Sequence, residues 1–175
     1  MKSLVIVFLL LILLATWILI INKKLVAMDE NVNLAMSQLG VQVSSQFDVA
    51  MLLVDLTGSY AAEDSIRLKK MIQTEYQILT ARSAPAEVLK QERVIQKVLD
   101  EVFDISERHP ELKADKGYTK CLGAVESYKK MVRTSRLIYN DIVTKYNRTI
   151  RMVPVCLVAG ILGFHKREYL ESKEQ

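Results

Sequence analysis

Tyr139-Asn140 and Tyr146-Asn147 are the most informative polar positions in this sequence. The two pairs stand seven residues apart. On a helix both tyrosines then share one face, and both amides share a neighbouring one. A phenol has an apolar body with a polar tip, and a carboxamide can donate and accept at once. Two readings stay open. In one, the rings are core and the amides cap or cross-link helices. In the other, these four residues and Arg151 form a groove near a membrane that receives a partner helix.

Other chemistry is sparse. His109 and His165 are the only histidines, and neither sits in a metal-ligand pattern. His109 beside Pro110 reads as a solvated helix end, and His165 beside Lys166 as interfacial or solvated. No phosphate-binding loop or dinucleotide fingerprint is present. Gly160-x-x-Gly163 fits a turn or tight packing better than a phosphate cradle. Glu63, Glu75, Glu87, Glu92, Asp100, Asp104 and Glu107 supply carboxylates, which without a core histidine read as a solvated face. Cys121 and Cys156 lack metal spacing and read as small apolar residues. The sequence therefore predicts no catalytic residues, no metal site and no cofactor. The formal net charge of +4 over 175 residues is mild and does not point to nucleic acid. No small-molecule substrate is expected either.

The elements that must position these residues start with Leu4–Ile21, an uncharged run with Thr16 as its one polar side chain. About 20 apolar helical residues cross a bilayer, and only a helix satisfies its own backbone there. A secretory signal has a shorter apolar core and a small-residue cleavage site. Here Trp17 to Ile21 are bulky, so an uncleaved anchor over residues 1–23 is expected. Trp17 is either a headgroup-level anchor or ordinary lipid-facing bulk. Lys23 and Lys24 outnumber Lys2, which leans the following domain toward the cytoplasm of a bacterial inner membrane, with the extracytoplasmic side left open.

From Lys24 onward Leu25, Met28, Val32, Ala35 and Leu39 repeat at spacings of three and four, and Val43, Phe47, Ala50 and Val54 continue the stripe. No linker separates this stripe from the apolar run, so the two read as one rod. Gly58 is a candidate C-cap. A second helix is expected from about Ala61 to Ala81, with Leu68, Ile72, Tyr76 and Leu79 on its apolar face. A third runs from about Pro85 to His109. Asp115 is the expected N-cap of a fourth, which runs to about Arg151 with Tyr118, Leu122, Val125, Val132, Tyr139, Ile142, Tyr146 and Ile150 on one face. No stretch alternates with period two, so no sheet is expected.

The predicted architecture is all-α: an N-terminal transmembrane helix, then an elongated antiparallel four-helix bundle over residues 24–151. Helices one and four are long, and two and three form a shorter hairpin. Lengths of roughly 35, 21, 23 and 36 residues return the chain close to its starting height. Residues 152–175 then lie near the membrane as an apolar segment with a basic tail. Met152 to Phe164, interrupted by Pro154, Gly160 and Gly163, is too short to span. It is expected either to lie in the interface or to pack on the bundle base. Lys166 and Arg167 would join Lys23 and Lys24 in a basic cluster facing anionic lipid.

Several marks resemble the LemA family of bacterial membrane-anchored proteins. They are Asp29-Glu30-Asn31-Val32 with Ser37-Gln38, Gly58-x-Tyr60-Ala61, Ala81-Arg82-Ser83-Ala84 and Pro110-Glu111-Leu112-Lys113-Ala114. The most specific block is Tyr139-Asn140, Tyr146-Asn147, Ile150-Arg151, Pro154 and Leu157 through Phe164, ending at Arg167-Glu168-Tyr169. The family usually carries a basic pair and a proline-containing stretch inside the first helix, and Ser44 to Val54 replace it here. The resemblance implies an anchor and an antiparallel bundle, with the short amino terminus outside the cell, but little mechanism. The residues themselves point to a non-enzymatic, membrane-anchored scaffold or interaction protein of the bacterial envelope. Its expected partners are the lipid bilayer and unidentified membrane or envelope proteins, with self-association also possible in principle. The alternative is a membrane-contacting or membrane-shaping protein acting through the C-terminal apolar segment.

Overall fold

The computed structural model describes residues 2–171, and every regular element among them is helical. In chain order these are α1 (Lys2–Thr57), α2 (Ala62–Glu75), α3 (Pro85–Arg108), α4 (Pro110–Ala114), α5 (Lys116–Arg151) and α6 (Val155–Ile161). The expected all-α bundle with a long helical pair is present. The last four residues of the C-terminal segment lie outside the described residues.

α1 is a single helix of 56 residues, about 84 Å long. Its first part is long and apolar enough to cross a membrane, with a mean hydropathy of 3.4 and almost nothing covering it. From Ile21 onward the predicted stripe turns inward. Leu25, Val32, Ala35, Leu39, Val43, Phe47, Ala50 and Val54 are buried, and Met28 is half-buried. The main partner of this stripe is α5. The two run antiparallel: Gly117 at the start of α5 lies beside Leu56, and Asn147 near its end lies at the level of Asp29. On α5, Tyr118, Val125, Val132, Tyr139 and Tyr146 are buried at intervals of seven. Leu122, expected in this face, is 42% exposed, whereas Val143 is fully buried. Nothing in the structure explains why Leu122 lacks cover.

The corner after α1 is tighter than a simple glycine cap. Gly58 does not take left-handed angles; a Cβ there would meet the Asp55 carbonyl at 3.1 Å and Ser65 Oγ at 3.2 Å. Ser65 Oγ in turn donates to the Val54 carbonyl at 2.8 Å.

α2 ends at Glu75, six residues short of expectation. The cause is tertiary. Gln91 of α3 is fully buried, and its side-chain amide accepts from the Gln77 N–H at 3.1 Å and donates to the Glu75 carbonyl at 3.4 Å. This caps α2 and pulls the chain straight. Tyr76 then stacks on Phe47, ring centroids 3.8 Å apart, with its hydroxyl hydrogen-bonded to Ser44 Oγ at 2.9 Å. Leu79 lies against Gly40. So Tyr76 and Leu79 reach the core as foreseen, but from an extended strap. Pro85 opens α3, and the Glu87 carboxylate accepts from the Ala84 N–H at 3.2 Å. Asp115 caps α5 as expected, its carboxylate accepting from the Tyr118 N–H at 2.9 Å.

α3 and α5 both pack on α1 but barely on each other. α1 is thus the centre of the bundle, and an open groove runs between α3 and α5.

The strap leaves no room at Gly40, where a Cβ would stand 3.1 Å from both Leu79 Cβ and the Leu79 carbonyl oxygen. Gly40→Val is expected to cost about 1–3 kcal/mol through overpacking. Gly123 is the control, because a Cβ there would meet nothing within 4 Å. Gly123→Ala should gain about 1 kcal/mol from helix propensity. Thermal melting of the detergent-solubilised chain, followed by circular dichroism, reads both signs.

Candidate functional site

After Arg151 the chain crosses a cis Val153–Pro154 peptide bond into α6 and then reverses. The reversal is a Schellman closure: the Phe164 N–H donates to the Ala159 carbonyl at 2.9 Å and the Gly163 N–H to the Gly160 carbonyl at 3.4 Å. Gly163 supplies the required positive φ of 77°. Gly160 and Pro154 are exposed, and Phe164 packs half-buried on the core. Residues 164–171 then climb back along α5 without helical structure.

The two asparagines hold this returning tail. Asn147 donates through Nδ2 to the Arg167 carbonyl at 2.8 Å and accepts at Oδ1 from the Arg167 N–H at 2.9 Å. Asn140 does the same with Leu170, at 3.0 and 2.9 Å. Each amide thereby satisfies both backbone groups of one residue, as a neighbouring β-strand would. The spacing fits: seven helical residues rise about 10.5 Å, and three extended residues span about 10 Å. Between the two clamps, the Tyr139 hydroxyl donates to the Glu168 carbonyl at 3.0 Å. Leu170 is 1% exposed, a burial worth about 1.5–3 kcal/mol.

Arg167 carries the longest-range tie. Its Nε and Nη2 meet the two Asp29 carboxylate oxygens at 2.9 and 2.8 Å, and Nη2 also reaches Asn33 Oδ1 at 3.3 Å. A forked guanidinium–carboxylate pair of this kind is geometrically selective as well as attractive. Burial, and next the Asp29 carboxylate, hold the Tyr146 phenol above its ordinary pKa. Burial does the same for Tyr139.

The face on which a partner groove was expected is covered by the chain's own residues 167–170. Tyr139, Tyr146 and Asn147 are buried, and Asn140 is half-buried. Arg151 is exposed at the end of α5, donating through Nε to the Asn147 carbonyl at 3.2 Å. The expected basic cluster is smaller than foreseen. Lys23, Lys24 and Lys166 are exposed, but Arg167 is neutralised by Asp29 further up the rod. Asp29, Asn33 and Leu170 were not singled out as site residues by sequence reasoning. The usable signals were the lone leucine in a charged tail and an acid on α1 facing a distant arginine.

α6 sits below this junction. Asn147 stands level with Asp29, so α5 ends about level with Leu25. Cover for Ile21, Ile18 and Trp17 must come from the segment that follows. Val158 and Ala159 of α6 are buried and α6 packs on α1, while Ile21 is buried and Trp17 and Ile18 are half-buried. The opposite face is bare: Leu157 and Ile161 are 68% and 85% exposed, as is Val153 just before the helix at 81%.

No group of three or more His, Cys, Asp or Glu side chains among the described residues is placed to hold a metal ion. His109 Nδ1 lies 3.4 Å from a Glu111 carboxylate oxygen at the surface, and His165 is exposed. Cys121 and Cys156 are free and half-buried. What the site does chemically is grip an extended backbone.

The LemA family model matches residues 35–175. The chain belongs to the LemA family. The match starts inside α1, beyond the apolar run, and takes in the whole clamp on α5, α6 and the returning tail. No curated relative matches the chain.

For this family member the clamp predicts a graded response. Asn147→Ala removes a paired donor and acceptor from a buried site and should cost about 2 kcal/mol. Arg167→Lys keeps the charge but loses the fork, costing about 1 kcal/mol at this partly exposed position. The double variant Asn140→Ala, Asn147→Ala should free the tail and speed tryptic cleavage after Lys166 and Arg167. Equal cleavage rates in the double variant and the parent protein would contradict the clamp.

Proposed function

We propose that this protein is a membrane-anchored, non-enzymatic helical scaffold of the bacterial envelope that presents binding surfaces at a fixed height above the inner membrane. One observation carries the reading: the apolar run and the long bundle helix are the same helix, α1. A bundle joined to its anchor without a linker cannot tumble relative to the bilayer. Asn22 to Thr57 add 36 residues, which hold the distal end about 54 Å from the apolar run. Family membership supports the reading. Lys23 and Lys24 against Lys2 support a cytoplasmic bundle.

The bare face of α6 supports a second reading, in which the protein also contacts lipid beside its span. Leu157 and Ile161 stand one turn apart on α6 and point away from the core, and Val153 just before the helix is bare as well. A short helix with one apolar face at the bundle's base suits the interfacial layer of the bilayer. Exposed Lys166 is available to the headgroups.

A photocrosslinking amino acid at exposed Val41 or Leu137 tests the scaffold in living cells. Discrete protein adducts are expected from at least one position, and they should survive external protease treatment of spheroplasts. Only diffuse background from both positions would sink the scaffold reading, and adducts destroyed by the protease would reverse the orientation. For α6, Leu157→Trp in a Trp17→Phe background gives a single reporter in the full chain. In liposomes its emission should be blue-shifted and quenched by brominated lipids. Water-like, unquenched emission would refute the lipid contact.

A further inference from the structure

The groove between α3 and α5 encloses about 1080 Å³, at the top of the range for small-molecule pockets and open to solvent. Its walls carry Arg93, Lys129, Lys130, Arg133 and Arg136. Against them stand Glu92, Glu126 and Glu171, leaving an excess of two positive charges. Among the described residues only Arg136 and Glu92 of this set form an ion pair. Even Arg136 keeps a buried Nε–H with no acceptor, a donor whose desolvation is uncompensated. Between the charges the lining is apolar, supplied by half-buried Leu89 and the aliphatic stems of the arginines and lysines, with Ile95 and Val132 almost fully covered beneath.

We propose that this groove docks an acidic, amphipathic peptide segment of a partner protein. The cations would take its carboxylates, and Leu89 with the aliphatic stems of the surrounding arginines and lysines would take its apolar face. Charge complementarity selects an acidic occupant; the apolar lining at Leu89 and along the cationic stems selects a peptide over a phosphate polymer, whose outer surface has nothing to offer it. The anchoring bilayer is out of reach. Gln46, which also lines the groove, lies 25 residues beyond Ile21 on α1, about 38 Å along the axis. That is several Debye lengths at physiological salt. The proposal rests on the scaffold reading and names the partner chemistry of one of its surfaces.

The test uses the full chain in nanodiscs and a fluorescein-labelled peptide with glutamate and leucine at helical spacing. Fluorescence anisotropy should show saturable binding that weakens with added salt. Lys129→Glu with Arg133→Glu, both at exposed positions, should weaken it about tenfold. Lys116→Glu with Lys120→Glu, on the same helix outside the groove, should leave it unchanged. Circular dichroism confirms that both variants fold. Absence of saturable binding overturns the proposal, as does an equal loss in the control pair. So does tighter binding of an oligothymidylate, which would mark a polyanion surface instead. Failure here would leave the cellular crosslinks standing, so the two readings fail separately.

Discussion

α1 is the element on which every longer part of this protein is hung. α2, α3, α5 and α6 each pack on it, while α3 and α5 scarcely touch one another. This follows from how its apolar residues are spent. Before Ile21 they surround the helix, which suits lipid; after Ile21 they narrow to a stripe, which suits a partner helix. One continuous backbone carries both patterns, so the bundle continues the apolar run without a hinge. Breaking α1 near Asn22 would uncouple the two halves without removing a single core contact above Leu25.

The clamp on α5 solves a problem that the reversal at Gly163 creates. An extended tail lying on a helix has no strand neighbour, so its backbone donors and acceptors need partners from side chains. Asn140 and Asn147 supply them in pairs, and each pairing also fixes which amide atom points where. The fork from Arg167 to Asp29 then joins the tail to α1, closing the circuit α1–α5–tail–α1. The fork also withdraws Arg167 from the exposed basic residues Lys23, Lys24 and Lys166. The geometry that stabilises the tail is therefore the same geometry that reduces the basic surface.

The helices and their inward faces were legible in the sequence wherever periodicity alone decides them. The α1 stripe, the seven-residue spacing on α5 and the Asp115 cap all stand as read. The end of α2 was not legible, because Gln91 imposes it from 14 or more residues away and no local breaker precedes Ser83. The tyrosine–asparagine pairs were legible as a site but not as to what they hold. Recognising the tail requires knowing that three extended residues match seven helical ones, and that the chain turns back after α6. The withdrawal of Arg167 from the basic cluster was not legible for the same reason: it depends on the reversal at Gly163 and on Asp29, far away in sequence. The groove between α3 and α5 has no sequence signature, since it arises from two helices not meeting.

Geometry separates the two surfaces that remain without partners. The bare face of α6 lies at the level of Trp17, and the cationic groove lies near Gln46. At about 1.5 Å per residue they stand roughly 40 Å apart on one rigid helix. Lipid contact at the base therefore cannot occupy the groove, and a ligand in the groove cannot cover α6. Anchored as proposed, such a molecule is held at one end while its other surface stays open, and the stiffness of α1 sets the distance between them. That stiffness comes from the same core packing that binds α5 and α3 to it, so anything that loosens the bundle also loosens the spacing.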